Sequence, residues 1–232
     1  MIALITGASK GLGKSIATYF ASRDYDLILL ARNFDALMEI KGEFEKKYNN
    51  KTYVYDVDVA DKEHLFSTLN KINKSFQVID VLVNNVGIYQ PDEIQTENEE
   101  LFELTLNVNL KAAYYLTQNL LPKILKSDTK HIFNICSVLS KDVRTGAASY
   151  TISKHALKGF NDVLREELRD NKVKVTAIYP GSINTSSWEG IIAPVNEFVQ
   201  PEDIVNCIDA SLKTSKNANI EEIVIKPLNK NY

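Results

Sequence analysis

Short apolar runs alternate with longer helical stretches along the whole of this 232-residue chain. The apolar runs read as strands near residues 2–5, 26–31, 52–57, 79–84, 131–136, 173–179 and 222–225. The stretches between them read as helices near 13–22, 34–48, 61–73, 97–126, 150–171 and 201–212. Strands separated by helices at this spacing pair in parallel through right-handed crossovers. The pattern therefore predicts an α/β fold: a doubly wound parallel sheet of seven strands with helices on both faces.

A glycine-rich turn, TGASKGLG over residues 6–13, joins the first predicted strand to the first predicted helix. A helix N-terminus offers unpaired backbone N–H groups and a partial positive charge, which suit a phosphate. Glycines let the backbone turn tightly and approach that phosphate closely. The spacing G-x-x-x-G-x-G alone is a weak signal, but the strand before it and the helix after it favour a phosphate site. The predicted binding residues are Gly7, Ser9, Lys10, Gly11, Leu12 and Gly13.

Length and composition limit the class of protein. A chain of 232 residues without an evident linker or repeat suits one domain, which we assign to 1–232. The net charge of −3 argues against nucleic acid and anionic membranes as partners. No apolar run approaches the roughly 18 residues of a membrane span. Because the glycine loop begins at residue 6, a signal peptide is excluded by position, and we predict a cytoplasmic protein.

Cysteines and histidines give no metal or disulfide pattern. Cys136 and Cys207 lie far apart, and the three histidines are isolated from one another. Zinc and disulfide frameworks use closely and regularly spaced ligands. We therefore predict no metal.

The end of the second strand indicates which dinucleotide a Rossmann-type fold would bind. Folds of this kind that prefer NAD place a carboxylate there, about 20 residues beyond the glycines, on the ribose 2′-hydroxyl. Here the strand ends in LARN (30–33), and Asp35 reads as a first-turn residue of the next helix. Arg32, together with Lys10 of the glycine loop, offers donors to a 2′-phosphate. Each alone would read as a solvated surface cation; together they favour NADP(H) over NAD(H).

Two further turns follow strands three and four. Asp58 is placed to accept a hydrogen bond from an adenine amino group, with Val59 against the ring. In the sequence N-N-V-G, Gly87 removes a side chain where the cofactor would pass, and Asn85 would brace the neighbouring loop. Without the other motifs, N-N-x-G would simply be a good turn.

The strongest signal is Tyr150-Thr-Ile-Ser-Lys154, at the start of a helix. Positions i and i+4 share a helix face. A neighbouring ammonium favours phenolate, so we expect Lys154 to lower the tyrosine pKa from about 10 and make Tyr150 a general acid near neutral pH. Ser137, at the end of the fifth strand, could hold a substrate carbonyl oxygen, and Asn109 lies in the long helix flanking the same crevice. Alone, Y-x-x-x-K is more often a surface pair; the motifs in combination carry the prediction.

With these motifs the chain resembles a short-chain dehydrogenase/reductase of the simple type, close in pattern to 3-oxoacyl-acyl-carrier-protein reductases and related carbonyl reductases. The resemblance covers nearly the whole chain and implies a catalytic tetrad of Asn109, Ser137, Tyr150 and Lys154. Tyr150 would protonate the carbonyl oxygen as hydride arrives from the nicotinamide, and Ser137 would orient that oxygen. Lys154 would hold the nicotinamide ribose, and Asn109 would anchor a water that relays protons to Lys154.

The resemblance also assigns the segment 180–185 to the nicotinamide, with Ile183 near the carboxamide and Thr185 near the carboxamide or phosphates. Three positions depart from the common family pattern, Val86, Cys136 and Tyr179, and none removes a catalytic group. The short C-terminal tail, compared with many relatives, leaves tetramer formation open.

The stretch 182–200 is long for a loop in a compact domain, and such loops are often lids. Its apolar side chains, which are Trp188, Ile191, Ile192, Val195 and Phe198, either line a substrate pocket or simply pin the loop to the core. The helix near 101–121 is apolar almost all round, so a partner helix would cover its outer side. The resemblance points to a homodimer through this helix and the helix at 150–171; a broad core-facing helix is the alternative.

Three functions compete for this sequence. The leading one is an NADP(H)-dependent reductase of a small-molecule carbonyl compound, or the reverse alcohol dehydrogenase. A non-catalytic NADP(H)-binding sensor or scaffold would predict a degraded tetrad, and this tetrad is intact. A sugar-nucleotide epimerase or dehydratase would need a sizeable C-terminal substrate domain, and few residues remain after Lys154.

Overall fold

The computed structural model describes residues 1–188, 190 and 192–229. Within these residues the strands form one parallel sheet of seven, in the order β3-β2-β1-β4-β5-β6-β7. They are β1 (Ile2–Thr6), β2 (Asp26–Ala31), β3 (Thr52–Asp56), β4 (Val81–Asn84), β5 (His131–Ile135), β6 (Lys174–Pro180) and β7 (Glu222–Ile225). The predicted doubly wound sheet is confirmed, and the observed strand boundaries differ from the predicted ones by at most two residues.

Helices alternate with these strands. They are α1 (Gly11–Ala21), α2 (Phe34–Lys47), α3 (Lys62–Ser75), α4 (Glu99–Leu106), α5 (Ala112–Ile124), α6 (Ala148–Glu167) and α7 (Pro201–Leu212). Three of them begin where an Asn or Asp side chain accepts a hydrogen bond from the first turn: Asn33 for α2, Asp61 for α3 and Asn98 for α4. Such caps satisfy a backbone N–H that has no partner within the helix.

Two apolar layers enclose the sheet, one on each face. Successive strand residues point to opposite faces, so Ile5 of β1 joins one layer and Leu4 joins the other. The Ile5 layer packs against α1, α2 and α7, whereas the Leu4 layer packs against α3, α5 and α6. Burial on both faces explains why the strands read as continuous apolar runs.

The helix predicted over 97–126 is present from Glu99 to Ile124, but its hydrogen-bond pattern changes within it. Between α4 and α5 the chain forms a π-helical stretch, Asn107–Lys111. Stretches of this kind are short, and they occur often at functional sites. This one places Asn109 beside the turn that follows β4.

The described residues contain neither a candidate membrane helix nor a candidate metal cluster. None of their helices is long and apolar enough to cross a membrane. Nor do three or more of their His, Cys, Asp or Glu side chains form a group able to hold a metal ion.

Candidate active site

The turn between β1 and α1 requires its glycines. Gly7 and Gly11 have φ angles of +66° and +53°, in the left-handed region that side chains disfavour. A Cβ on Gly13 would lie 2.1 Å from the Gly7 carbonyl oxygen, which no real structure tolerates. The N-cap residue of α1, Lys10, makes no side-chain capping bond, so the first-turn N–H groups have no side-chain cap. This backbone cradle fits a phosphate group.

Asn85 supports the cradle from the end of β4. Its side-chain Nδ2 donates to the Thr6 carbonyl oxygen at 2.8 Å, and its backbone N–H donates to the Thr6 hydroxyl at 2.9 Å. The same Nδ2 would lie 3.0 Å from a Cβ on Gly7. The amide of Asn85 therefore braces the glycine loop, as the N-N-x-G motif predicted.

The end of β2 carries two exposed cations beside the glycine loop. Arg32 and Lys10 are exposed, and neither forms an ion pair with any residue that the structure describes. The two turns are joined because the Gly7 N–H donates to the Leu30 carbonyl oxygen at 2.8 Å. Asp35 lies in the first turn of α2, as predicted. No carboxylate therefore stands at the tip of β2.

The ends of β3 and β4 line the next part of the crevice. Asp58 is half-buried, and its Oδ1 accepts a hydrogen bond from the Ala60 N–H at 3.0 Å, which fixes the carboxylate; Val59 is buried beside it. Gly87 is exposed, and a Cβ on it would lie 3.4 Å from Asn109 Oδ1 and 3.5 Å from Lys154 Nζ. The backbone at Gly87 therefore passes directly over two of the predicted catalytic side chains.

Helix α6 brings the tyrosine and lysine to Ser137. Tyr150 is the third residue of α6, and Lys154 Nζ lies 5.8 Å from the centroid of its ring. The buried Lys154 ammonium donates to the Ile135 carbonyl oxygen at 2.9 Å, which ties it to the end of β5. The Ser137 hydroxyl accepts a hydrogen bond from the Leu139 N–H at 3.1 Å and lies close enough to the Tyr150 side chain to affect its ionisation.

Burial governs the ionisation of this pair. Burial raises the pKa of Tyr150, and the nearby Ser137 hydroxyl opposes that rise. Burial likewise lowers the pKa of Lys154. The expectation that Lys154 lowers the tyrosine pKa below its ordinary value is therefore wrong for this structure, because loss of hydration is the larger effect. The phenol is protonated at neutral pH.

Asn109 joins three segments through its amide. Its Oδ1 accepts from the Ile88 N–H at 2.8 Å, and its Nδ2 donates to the Ile88 carbonyl oxygen and to the Ser153 hydroxyl, both at 3.0 Å. Asn109 is buried, so these bonds satisfy a group that would be costly to leave unpaired. They hold the turn after β4 against α6. The predicted role of Asn109 in anchoring a water remains a prediction.

The amino-acid sequence matches the family model of short chain dehydrogenases over residues 1–195. The chain belongs to the short-chain dehydrogenase/reductase family. An uncharacterized oxidoreductase of Staphylococcus saprophyticus is 30% identical over 230 residues, covering 98% of this chain and 97% of the relative.

Solved structures share the fold of this short-chain dehydrogenase. An alcohol dehydrogenase from the archaeon Thermococcus sibiricus, complexed with 5-hydroxy-NADP, superimposes with a TM-score of 0.90 at 25% identity, over 98% of this chain and 96% of that one. A metagenomic short-chain oxidoreductase in complex with NADP gives 0.84 at 26% identity, over 99% and 98%. The predicted family and fold are confirmed.

The segment after β6 packs back onto the glycine loop of this short-chain dehydrogenase. A Cβ on Gly11 would lie 3.3 Å from Thr185 Cβ, so Thr185 borders the cradle. Ile183 pairs with Val199 in an isolated bridge, and its carbonyl oxygen accepts a hydrogen bond from Trp188 Nε1 at 2.9 Å. Both residues predicted for the nicotinamide side therefore lie on a segment held in place at two points.

Two of the loop's apolar side chains pack against each other. The rings of Trp188 and Phe198 have centroids 4.8 Å apart, and Phe198 is buried. Ile192 is fully exposed, Val195 is half-buried, and Ile191 lies outside the described residues. These contacts join parts of the loop to one another, so both roles, lining a substrate pocket and pinning the loop to the core, stay predictions.

Sequence reasoning missed Tyr89. Its ring meets the Tyr150 ring edge-on, with centroids 4.8 Å apart, and 46% of Tyr89 is exposed. Edge-to-face pairs of this kind are attractive beyond the area that they bury. The signal that could have found it is its position two residues after Gly87, in the loop that follows β4.

Proposed function

We propose that this chain transfers a hydride between NADP(H) and a carbonyl or secondary alcohol substrate, with Tyr150 as general acid and base. The proposal rests mainly on one observation: Ser137, Tyr150 and Lys154 converge beside the Gly87 backbone, next to the phosphate cradle. Neither the phosphate cradle alone nor the Tyr150 phenol alone would favour a redox reaction. Because they are adjacent, hydride transfer is favoured: a carbonyl carbon that receives hydride from a nicotinamide needs a proton donor at its oxygen.

The residues at the strand ends fit NADP(H). The cradle at Gly13 would hold the pyrophosphate, and Arg32 with Lys10 would hold the 2′-phosphate as charge-assisted donors. Asp58 and Val59 would contact the adenine. The solved relatives with NADP or its 5-hydroxy derivative support this choice of cofactor. When bound, the reduced cofactor supplies the hydride.

Ile183 and Thr185 border the expected nicotinamide side of the crevice. They would hold the carboxamide end, and Lys154, tied to the end of β5, would hold the ribose. In this proposal residues 1–232 act as a single catalytic unit.

The proton arrangement favours reduction at neutral pH. A tyrosine whose pKa is raised by burial stays protonated, so Tyr150 can give its proton to a carbonyl oxygen. The Ser137 oxygen already accepts from Leu139, which leaves the hydroxyl hydrogen to donate toward the same oxygen. In the reverse direction the phenolate would act as base, and that reaction should gain rate as the pH rises.

The substrate side is partly apolar. Tyr89 stands against the catalytic tyrosine with nearly half of its surface exposed. A carbonyl compound with apolar or aromatic bulk next to the reacting carbon would cover that surface. We therefore propose a small, partly apolar ketone or aldehyde as the class of substrate.

We also propose a homodimer through α5 and α6. Large apolar side chains are exposed on these helices and on α4: Leu104, Tyr114, Ile152 and Val163. Apolar surface of this kind on packed helices is typical of a face that meets a partner. A second copy of the chain would cover it.

The test is NADPH oxidation, followed by absorbance, against 3-oxoacyl thioesters, diketones, quinones, aldehydes and cyclic ketones. Turnover should fall by about 10²–10⁴ in Tyr150→Phe, because only the proton donor is lost, while NADPH still binds. Undiminished turnover in that variant would refute the mechanism. If NADPH binds but the panel stays silent, the result would instead favour a non-catalytic sensor.

A further inference from the structure

The helix that carries the catalytic tyrosine and lysine begins without a cap of its own. The N-cap residue of α6 is Ala147, which has no polar side chain, and the first turn contains no acidic residue. The first N–H groups of any helix lack partners within it. Tyr150 lies in this first turn, so the way in which these groups are satisfied bears directly on the catalytic phenol.

A carboxylate from a distant segment takes the place of the missing cap. Glu97, on the loop between β4 and α4, accepts through Oε1 a hydrogen bond from the Ser149 N–H at 3.3 Å. Its Oε2 accepts from the Ser149 hydroxyl. The preceding N–H, that of Ala148, donates to the Asp92 carbonyl oxygen at 3.3 Å. The same loop therefore satisfies two successive N–H groups of α6.

The charge and burial of this contact favour it. A negative charge near a helix N-terminus is stabilised by the helix dipole. Ser149 is buried, with 1% of its surface exposed, so its hydroxyl and N–H depend on protein acceptors. Glu97 is half-buried, and its own N–H donates to the Glu93 carbonyl oxygen at 2.9 Å. The backbone from which the carboxylate extends is thus held in position.

The loop meets the catalytic helix at two other places. Tyr89 packs edge-on against Tyr150, and the Ile88 backbone is held by Asn109, which also bonds to Ser153 of α6. The segment 88–98 therefore lies along the start of α6, with Glu97 at its far end. Removing the Glu97 contact would free the first turn, where the phenol must be placed within a fraction of an ångström for catalysis.

We propose that Glu97 is a positioning residue that caps α6 from outside the helix and holds Tyr150 in its productive place. The inference rests on the proposed function for its effect on turnover, but not for its effect on structure. Three variants test it. Glu97→Ala removes the cap, Glu97→Gln keeps an acceptor without the charge, and Glu93→Ala removes a neighbouring exposed carboxylate as the matched control.

The first readout is hydrogen exchange of the backbone amides of residues 148–151. Losing a capping side chain weakens the start of a helix, so exchange there should be about tenfold faster in Glu97→Ala. It should be intermediate in Glu97→Gln and unchanged in Glu93→Ala. Equal exchange in all the proteins would overturn the cap. Should Glu97→Ala fail to fold, the Gln variant carries the comparison.

The second readout separates positioning from general loosening. In Glu97→Ala, kcat should fall about tenfold while the Kd of NADPH stays unchanged, and Glu97→Gln should recover part of the loss. An unchanged kcat with faster exchange would overturn the positioning role. A loss of NADPH affinity equal to the loss of kcat would also overturn it.

A third readout does not need turnover. Fluorotyrosine incorporated at tyrosine positions gives one fluorine NMR signal for Tyr150, assigned by its disappearance in Tyr150→Phe. That signal should shift in Glu97→Ala and stay in place in Glu93→Ala; an unmoved signal would overturn the proposal. If the wild-type protein turns over none of the carbonyl panel, the proposed function fails, whereas this signal still decides whether Glu97 positions Tyr150.

Discussion

His131 at the start of β5 should make the stability of this protein depend on pH. The residue is buried, and its ring stacks on Phe133 with centroids 3.9 Å apart. Its Nε2 lies 2.9 Å from the Thr176 hydroxyl oxygen. Because that hydroxyl donates its only hydrogen to the Ile220 carbonyl oxygen, Nε2 must be the donor to the hydroxyl. Burial, with Lys174 nearby, lowers the pKa of His131 to about 3.

The sign and size of the effect follow from that pKa. An unfolded histidine has a pKa of about 6.5, so between pH 6.5 and pH 3 the unfolded chain binds the proton and the folded chain does not. Stability from this group is therefore complete above pH 6.5 and is lost as the pH falls toward 3. From pH 7 to pH 4 the loss is about 3 kcal/mol, at about 1.4 kcal/mol for each unit of pKa difference.

Urea unfolding of the wild type and His131→Gln, at pH 7, 6, 5 and 4 and one protein concentration, measures this loss. Glutamine keeps a donor for the Thr176 hydroxyl but cannot ionise. Carboxylates titrate alike in both proteins, so their effect cancels in the difference. Between pH 7 and pH 4 the free energy of unfolding of the wild type should fall by about 3 kcal/mol more than that of the variant. Parallel curves would refute the reasoning, because they would mean that folded His131 ionises at its ordinary pKa.

Three other changes test the site and the proposed dimer. Gly13→Ala should abolish NADPH binding or destabilise the fold, since its Cβ would lie 2.1 Å from a carbonyl oxygen; normal binding by calorimetry would contradict the rigid cradle. Arg32→Ala should weaken NADPH by roughly 10- to 100-fold and leave NADH nearly unchanged, whereas equal losses would reject a 2′-phosphate role. Val163→Lys should favour monomers in sedimentation velocity. Met38→Lys, at an exposed apolar residue on α2, is the matched control and should leave the dimer unchanged. An unchanged dimer in Val163→Lys would mean that the interface does not include this part of α6.

Much of the fold and part of the site could be predicted because they depend on local patterns. Strands buried on both faces read as apolar runs, and the glycine loop is recognisable between a strand and a helix. The pairing of Tyr150 with Lys154 follows from helical spacing alone. In a parallel sheet the carboxyl ends of all strands lie on the same side. Residues as distant in sequence as Asp58 and Ser137 were therefore correctly expected on that side.

What the sequence could not determine depends on contacts between distant segments. The π-helical stretch at Asn107–Lys111 accompanies hydrogen bonds from Asn109 to Ile88 and Ser153, which no local sequence period reveals. The direction of the Tyr150 pKa was predicted wrongly because the lysine is visible in the sequence, whereas burial is not. The four-residue spacing of Tyr150 and Lys154 can be read along the chain. How much hydration the phenol loses depends instead on the residues that the fold packs around it. The tertiary structure alone therefore decided in which direction the pKa of Tyr150 shifts and which distant loop contacts its helix.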